Sequence, residues 1–205
     1  MSGLRVLVIA PALDGDDVGE VYSAFQLVQA LSRKLAVTVL ATSRQSRPLA
    51  EQLPRAKVVT WPEPALLYHR FERFNATAKP WLPVFNRKVA AWVRAAQADG
   101  QQFDIAHQIL PQAMRHTSPL RNLGIPYVIG PLGGGLQTPA GFEAEVGKGS
   151  GLSRLRAIDD FRLRHDRALR ASYAGADLVL GVAPYVAERL ATVGIHRFKA
   201  VLERG

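Results

Sequence analysis

The sequence predicts an α/β protein: a Rossmann-like, doubly wound sheet that is mostly parallel. Three observations support this class. Short apolar runs alternate with longer segments of helical periodicity along all 205 residues. The runs lack polar alternation, which is typical of parallel strands covered on both faces. Hydrophobic residues make up 48% of the chain, enough for a full core. We therefore expect one domain, residues 1–205, of about six or seven strands.

Seven apolar runs are predicted as strands, because several are β-branched and all are short. In chain order they are Leu4–Ala10, Val37–Ala41, Lys57–Trp61, Phe103–His107, Tyr127–Gly130, Asp177–Gly181 and Lys199–Leu202.

Helices are predicted in the segments that separate these runs. For the helix between the first two strands, Asp17 is the predicted N-cap, and Glu20 completes the spacing of a capping box. Three further helices are predicted at Val84–Ala98, Leu152–Tyr173 and Pro184–Val193, the last with a proline in its first turn.

Composition narrows the possible partners. The chain has 26 basic and 17 acidic residues, a formal charge of +9, which favours anionic partners or simply reflects a solvated basic surface. No nucleic-acid-binding signature accompanies this charge, so we expect no nucleic-acid partner. The absence of cysteine excludes disulfides and thiolate metal sites, and no motif predicts a metal or a cofactor. The run Leu4–Ala10 is too short for a signal peptide or a membrane span, so we expect a cytoplasmic protein.

A cluster of glycines follows the fifth predicted strand. The stretch "GPLGGGLQTP" places Gly133, Gly134 and Gly135 where open α/β sheets bind ligands, beyond the carboxyl end of a strand. Glycines let backbone N–H groups approach an oxygen-rich ligand, so this loop could hold a phosphate or a sugar. The stretch matches neither the dinucleotide fingerprint nor the P-loop. A purely structural turn is the alternative.

The loop after the first strand, "PALDGDDVGE", is a second candidate. Gly15 and Gly19 lie at a helix N-terminus, which attracts anions. The aspartates here oppose phosphate, and besides capping the helix Asp17 could accept hydrogen bonds from sugar hydroxyls. His107 ends the predicted strand "FDIAH" and is expected to point into the same crevice, with a structural role as the alternative.

The segment from Tyr68 to Lys88 combines aromatic and basic side chains. We hypothesise peripheral contact with an anionic membrane, at its inner face, with ordinary protein surface as the alternative. Pro80 and Pro83 are expected to interrupt any long helix here. The side chains concerned are Phe71, Phe74, Trp81 and Phe85, with Arg70, Arg73, Lys79, Arg87 and Lys88.

Taken in order, these motifs resemble the N-terminal half of family 4 glycosyltransferases of the GT-B type. The motifs are "RVLVIAP", a glycine-containing loop into a long helix, "AVTVLAT", "FDIAHQI", "LGIPYVIGPLGGG", "ADLVLGVAPYVAERL" and "VLERG". The resemblance implies a two-domain retaining enzyme that binds a nucleotide-sugar donor between its domains. It also implies that this domain receives a glycan or a lipid-linked acceptor, and that the second domain carries most of the donor site. We accordingly expect a half-enzyme that is inactive by itself.

The resemblance also assigns roles to residues. Gly15 and Gly19 fall near the donor diphosphate, and Gly133, Gly134 and Gly135 fall in a loop that faces the cleft. His107 falls near the acceptor and the transferred sugar, which implies a positioning role. The residues themselves leave a second hypothesis open, a non-catalytic α/β module that binds a nucleotide or a phosphate, and a weaker third, a membrane-surface domain.

Overall fold

The computed structural model describes residues 3–63, 79–134 and 151–201. Within them, seven parallel strands form one open sheet in the order β3-β2-β1-β4-β5-β6-β7. This confirms the predicted α/β class. The strands are β1 Arg5–Ile9, β2 Ala36–Thr42, β3 Lys57–Trp61, β4 Ile105–Gln108, β5 Tyr127–Leu132, β6 Leu178–Gly181 and β7 Phe198–Ala200.

Each predicted strand is present, with small differences at its ends. One difference concerns β5, which does not end at Gly130 but continues to Leu132. Its pairing with β6 shifts in register between Ile129 and Leu132, so the strand passes its glycine and proline through a bulge. The predicted strand end at Gly130 was therefore wrong, because a bulge tolerates residues that a regular ladder excludes.

Six helices lie in the described ranges. They are α1 Gly19–Ser32, α2 Leu49–Gln52, α3 Leu82–Ala98, α4 Gly151–His165, α5 Arg167–Ala174 and α6 Tyr185–Leu190. The helix α2 was not predicted, since one turn is too short to show a helical period. Pro83 lies in the first turn of α3 and does not interrupt it, which corrects the expectation for that proline.

Two further predictions about helix ends were wrong, and a third concerns the last helix, described below. The segment Leu152–Tyr173 is two helices, because the Asp166 side chain accepts the N–H groups of Ala168 and Leu169 and caps a new helix there. Asp17 does not cap α1, since its carboxylate accepts the N–H of the adjacent Val18 at 2.7 Å and does not reach into the helix.

The last helix, α6, begins at Tyr185 and ends at Leu190, with Pro184 as its N-cap. The predicted range Pro184–Val193 was therefore too long at both ends.

Helices cover the sheet on both faces. One face packs side chains such as Leu7 and Ile129 against α3, α5 and α6, and the opposite face packs side chains such as Val8 and Val39 against α1. Trp81 and Phe85 belong to the first of these cores, with ring centroids 6.3 Å apart. They are therefore not available to lipid headgroups, which corrects their predicted place in a membrane-facing segment. The part of that segment before Lys79 lies outside the described residues.

Candidate functional site at the carboxyl edge of the sheet

Parallel pairing brings the carboxyl ends of the strands to one edge. Because β1 and β5 both pair with β4, the two glycine-containing loops flank β4 at this edge. The first loop follows Ile9 at the end of β1, and the second follows Leu132 at the end of β5. This is the position at which open α/β sheets bind ligands.

His107 lies between these two loops. It pairs with Val8 on one side and Val128 on the other, one residue before β4 ends, so the prediction that it ends the strand was wrong by one position. Its Nε2 atom lies 2.7 Å from the carbonyl oxygen of Gly130. A carbonyl can only accept, so Nε2 carries the hydrogen and donates it.

The protonation state of His107 follows from its surroundings. Burial lowers the pKa of the ring below its usual 6.5, and the hydrogen bond to Gly130 opposes this without cancelling it. The ring is therefore neutral at pH 7, and its Nδ1 atom is a hydrogen-bond acceptor. A neutral imidazole with one committed nitrogen can orient a hydroxyl group.

The geometry of β5 requires a glycine at position 130. Its φ is +120°, and a Cβ placed on it would lie 2.3 Å from the carbonyl oxygen of Leu180. Glycine is thus required for the close approach of β5 to β6, and that approach presents the Gly130 carbonyl to His107. The glycine-rich composition indicated a loop for ligands but did not single out this residue, whose requirement arises from a neighbouring strand.

The described part of the second loop is more open. Gly133 donates its N–H to Gln112 at 3.1 Å, which ties the loop to the segment after β4. Gly134 has a φ of +77°, and no atom of the described residues lies within 4 Å of the position its Cβ would take. The hydroxyl of Tyr185 donates to the Gly134 carbonyl at 3.1 Å. Gly135 lies outside the described residues.

In the first loop, the polar groups are largely bound to the protein itself. Asp14 is buried and accepts the N–H of Ser46 at 2.7 Å and that of Asp16 at 3.1 Å. Burial acts to raise the pKa of Asp14, but these hydrogen bonds outweigh it and leave the pKa below its usual value. Asp16 forms an exposed ion pair with Arg47 at 2.8 Å. The loop is therefore fastened to the connection between β2 and α2.

The two predicted glycines of this loop differ. The N–H of Gly15 donates to Gln52 Oε1 at 2.7 Å, and a Cβ here would lie 2.9 Å from the ring of Phe25. Internal packing accounts for this glycine. Gly19 has a φ of +64°, no described residue has an atom within 4 Å of its Cβ position, and Asp17 is exposed. The contacts of Ser46 and Gln52 were not predicted, because a polar loop 30 or more residues away carries no local signal of its partner.

Gln108 is a further polar residue of this edge that sequence reasoning missed. It follows His107 and is 3% exposed, and its Oε1 atom has no hydrogen-bond partner among the residues that the structure describes. Its position beside His107, between the apolar residues Ala106 and Ile109, was the available signal.

Residues 3–63, 79–134 and 151–201 contain no group of three or more His, Cys, Asp or Glu side chains placed to hold a metal ion. In the same ranges, none of the helices combines the length and the apolar character needed to cross a lipid bilayer.

Comparison with known proteins gives structural relatives. No protein-family model matches the chain, and no curated protein matches it in sequence. UGT2 of Phytolacca americana, solved with UDP-2fluoro-glucose and pterostilbene, has a TM-score of 0.57 and 12% identity, with 98% of this chain and 54% of that one covered. A UDP-glucosyltransferase from Polygonum tinctorium capable of glucosylating indoxyl has a TM-score of 0.56 and 10% identity, with 98% and 52% covered. A ugt transferase from Siraitia grosvenorii, solved with UDP, has a TM-score of 0.51 and 15% identity, with 96% and 50% covered.

The chain thus spans about half the length of the solved glycosyltransferases it matches. At these identities the likeness concerns the fold. The protein has the Rossmann-like architecture of a GT-B glycosyltransferase domain.

Proposed function

We propose that this chain is the acceptor-side, N-terminal domain of a retaining glycosyltransferase of family 4. The enzyme would move a sugar from a nucleotide-sugar donor to a glycan or a lipid-linked acceptor, with the donor held mainly by a second domain. The observation that carries the proposal is the match of nearly the whole chain to about half of glycosyltransferases solved with UDP or a UDP-sugar. The motif order in the sequence supports family 4 and retention.

The geometry of the edge supports a positioning role for His107. Its Nε2 donates to Gly130, which fixes the ring plane, and its Nδ1 can accept a hydrogen bond from a sugar or acceptor hydroxyl. A neutral ring is suited to orientation, and no covalent role is assigned to it.

The glycines take different parts in this proposal. Gly134 leaves room among the described residues for a sugar to approach the backbone, and Gly133 precedes it. Gly135, next in the sequence, is assigned the same part. Gly19 and Asp17 lie on the open side of the first loop, close to where the donor would bind. Gly15 supports that loop from inside, through Gln52 and Phe25.

A transfer assay tests the proposal. The product of the complete reading frame that encodes this chain is incubated with uridine, guanosine and adenosine diphosphate sugars and with glycan or lipid-linked acceptors. We expect release of a nucleoside diphosphate with one donor, and NMR of the product should show the anomeric configuration of the donor retained. Inversion would contradict family 4 while leaving glycosyl transfer intact.

Titration of the 205-residue chain alone separates the two function hypotheses. Because the donor site would lie mainly in a second domain, we expect weak or no binding of nucleotide sugars to this chain. Micromolar binding together with no transfer by the complete product would instead favour a non-catalytic nucleotide-binding module.

A further inference from the structure

A second polar cavity lies beside the start of α3, apart from the edge residues described above. It has a volume of about 100 Å³, against the roughly 10–15 Å³ that one water molecule needs. Its wall combines residues of α3, of the segment after β4 and of α4. The polar members of the wall are Lys79, Asn86, Arg115, His116, Thr117 and Arg162.

The topology places this cavity toward the carboxyl edge of the sheet. A helix that leads into a parallel strand runs opposite to it, so α3 begins near the edge at which β4 ends. The segment that carries His116 leaves the same end of β4 and is tied to the second glycine loop by the bond from Gly133 to Gln112. Asn86 Nδ2 donates to the carbonyl of Thr117 at 3.1 Å and joins α3 to this segment.

His116 is the observation that points to a ligand. The residue is 7% exposed and lines the cavity, and among residues 3–63, 79–134 and 151–201 its Nε2 atom has no hydrogen-bond partner. A buried polar atom without a partner costs about 1–3 kcal/mol, so a native protein retains one where something else satisfies it.

The charges around His116 are positive. Burial, and then the nearby charges of Lys79, Arg115 and Arg162, lower its pKa to about 3, so the ring is neutral at pH 7. Two carboxylates lie close by, and each is paired: Asp159 with Arg115 at 2.8 Å and Asp166 with Arg162 at 2.7 Å.

Lys79 supplies the charge in excess of these two pairs. It makes no ion pair within the part of the chain that the structure describes.

The backbone at the start of α3 offers few N–H groups to a ligand. Leu82 donates its N–H to the carbonyl of Lys79, Val84 donates its N–H to the carbonyl of Trp81, and Pro83 has no N–H. The donors for a ligand must therefore come from side chains, while the helix contributes its partial positive charge.

We propose that this cavity is a binding site for a phosphate group, held by the Nε2–H of His116 and the ammonium of Lys79. Phosphate is a compact acceptor of several hydrogen bonds, and its negative charge complements the ammonium of Lys79, which is in excess of the two ion pairs beside the cavity. The phosphate group belongs either to a soluble compound or to the headgroup of a lipid. The site goes beyond the proposed transferase function, which does not require it.

The test is a titration of the 205-residue chain with inorganic phosphate at constant ionic strength and pH 7, with no donor sugar present. Imidazole resonances identify His116 by their loss in His116→Leu. We expect a saturable shift of His116 and no shift of the exposed His196. Absence of a saturable response at His116 would overturn the proposal.

Variants define the contacts. Lys79→Ala should weaken phosphate binding about tenfold, the usual size of one charge-assisted contact. His116→Gln, which keeps an N–H donor and serves where His116→Leu fails to fold, should bind within about threefold of the wild type.

Arg55→Ala is the matched control, because it removes one positive charge at a different cavity, lined by Arg33 and Arg55, where none of the lining side chains has a buried unpartnered atom. It should leave binding unchanged. Equal weakening by Lys79→Ala and Arg55→Ala would mean general charge attraction and would overturn the site.

Two further probes distinguish the sources of the phosphate. Glycerol 3-phosphate represents a soluble ligand, and phosphatidylcholine vesicles with and without phosphatidic acid represent a membrane. A response at His116 to either probe supports the site and identifies its source, and a response to neither overturns it. Because no transfer is measured, failure of this test and failure of the transferase proposal are separate outcomes.

Discussion

The two glycine loops at the carboxyl edge of the sheet differ in what surrounds their glycines. In the loop after β1, Gly15 fits against Phe25 and gives its N–H to Gln52, so neither side of it faces solvent freely. In the loop after β5, none of the described residues has an atom within 4 Å of the Cβ position of Gly134. Glycine is required at position 15 by packing and is favoured at position 134 by its backbone conformation. Gly19 of the first loop, at φ +64°, resembles Gly134 in this respect, so the two kinds of glycine can occur in one loop.

Gly130, inside β5, is more constrained than either of these two glycines. Substitution by alanine should lower the free energy of unfolding by about 4 kcal/mol, because the added Cβ would lie 2.3 Å from the Leu180 carbonyl at a φ of +120°. Urea unfolding followed by circular dichroism measures this. A loss below about 1 kcal/mol would show that β5 and β6 can separate without cost, and would remove the steric account of this glycine.

Asp14 accepts the hydrogen bonds that attach the first loop to the connection between β2 and α2. Asp14→Ala should cost about 2 kcal/mol, since it leaves the N–H groups of Ser46 and Asp16 without their acceptor. Asp17→Ala is the matched control at an exposed site and should change the free energy of unfolding by less than about 0.5 kcal/mol. Equal effects of the two changes would mean that the loop is not fastened through Asp14.

The pH dependence of stability gives a second measure of Asp14. Its pKa in the folded protein lies below the usual 3.8. The stabilisation is therefore complete above the unfolded value and is lost as the pH falls through the lower folded value. The wild type should lose more stability than Asp14→Asn between pH 5 and pH 3. Parallel curves would contradict this contribution.

His107 lies between the two loops, and its replacement tests whether they form one site. His107→Ala in the complete enzyme should lower kcat about tenfold, near 1.4 kcal/mol, through loss of orientation. The KM for the donor should change less than kcat. The control is His196→Ala, at an exposed position outside the sheet edge. Unchanged kcat in His107→Ala would leave His107 with a structural role alone.

The smallest effect is expected at the open glycine. Gly134→Ala should cost about 1 kcal/mol of stability, because a φ of +77° is unfavourable for alanine although no atom of the described residues lies within 4 Å of the added methyl group. If the loop admits the acceptor, its KM should rise more than this stability change explains. A large loss of stability with no change in KM would make the second loop resemble the first.

Much of the fold could be predicted from the sequence because its signals are local. Strands such as β1 and β2 are apolar on both faces, since helices cover both sides of the sheet, and this composition is visible without any partner. The break at Asp166 was not predicted, because neither a proline nor a glycine marks it between residues 152 and 173. The side-chain cap that divides α4 from α5 becomes evident from its hydrogen bonds.

The candidate site was predicted in part. The sequence indicated two glycine loops and His107 at strand ends, and parallel pairing does bring them to one edge. The sequence could not indicate that the first loop is attached to the connection between β2 and α2, because the hydrogen bond between Asp14 and Ser46 joins residues 32 positions apart. It gave no indication of His116, because the lack of a described hydrogen-bond partner for its Nε2 atom is a property of the cavity around it.

What the sequence determined by itself was the succession of strands and helices and the residue types at their ends, because burial and helical period are properties of neighbouring residues. Tertiary structure alone decided the strand order, the pairing of His107 with the Gly130 carbonyl and the burial of Trp81 and Phe85. Each of these depends on atoms brought together from distant parts of the chain. The sequence pattern of an aromatic residue beside basic ones is the same in a core helix and at a surface. Only the position of the sheet decides whether the aromatic side chain is buried.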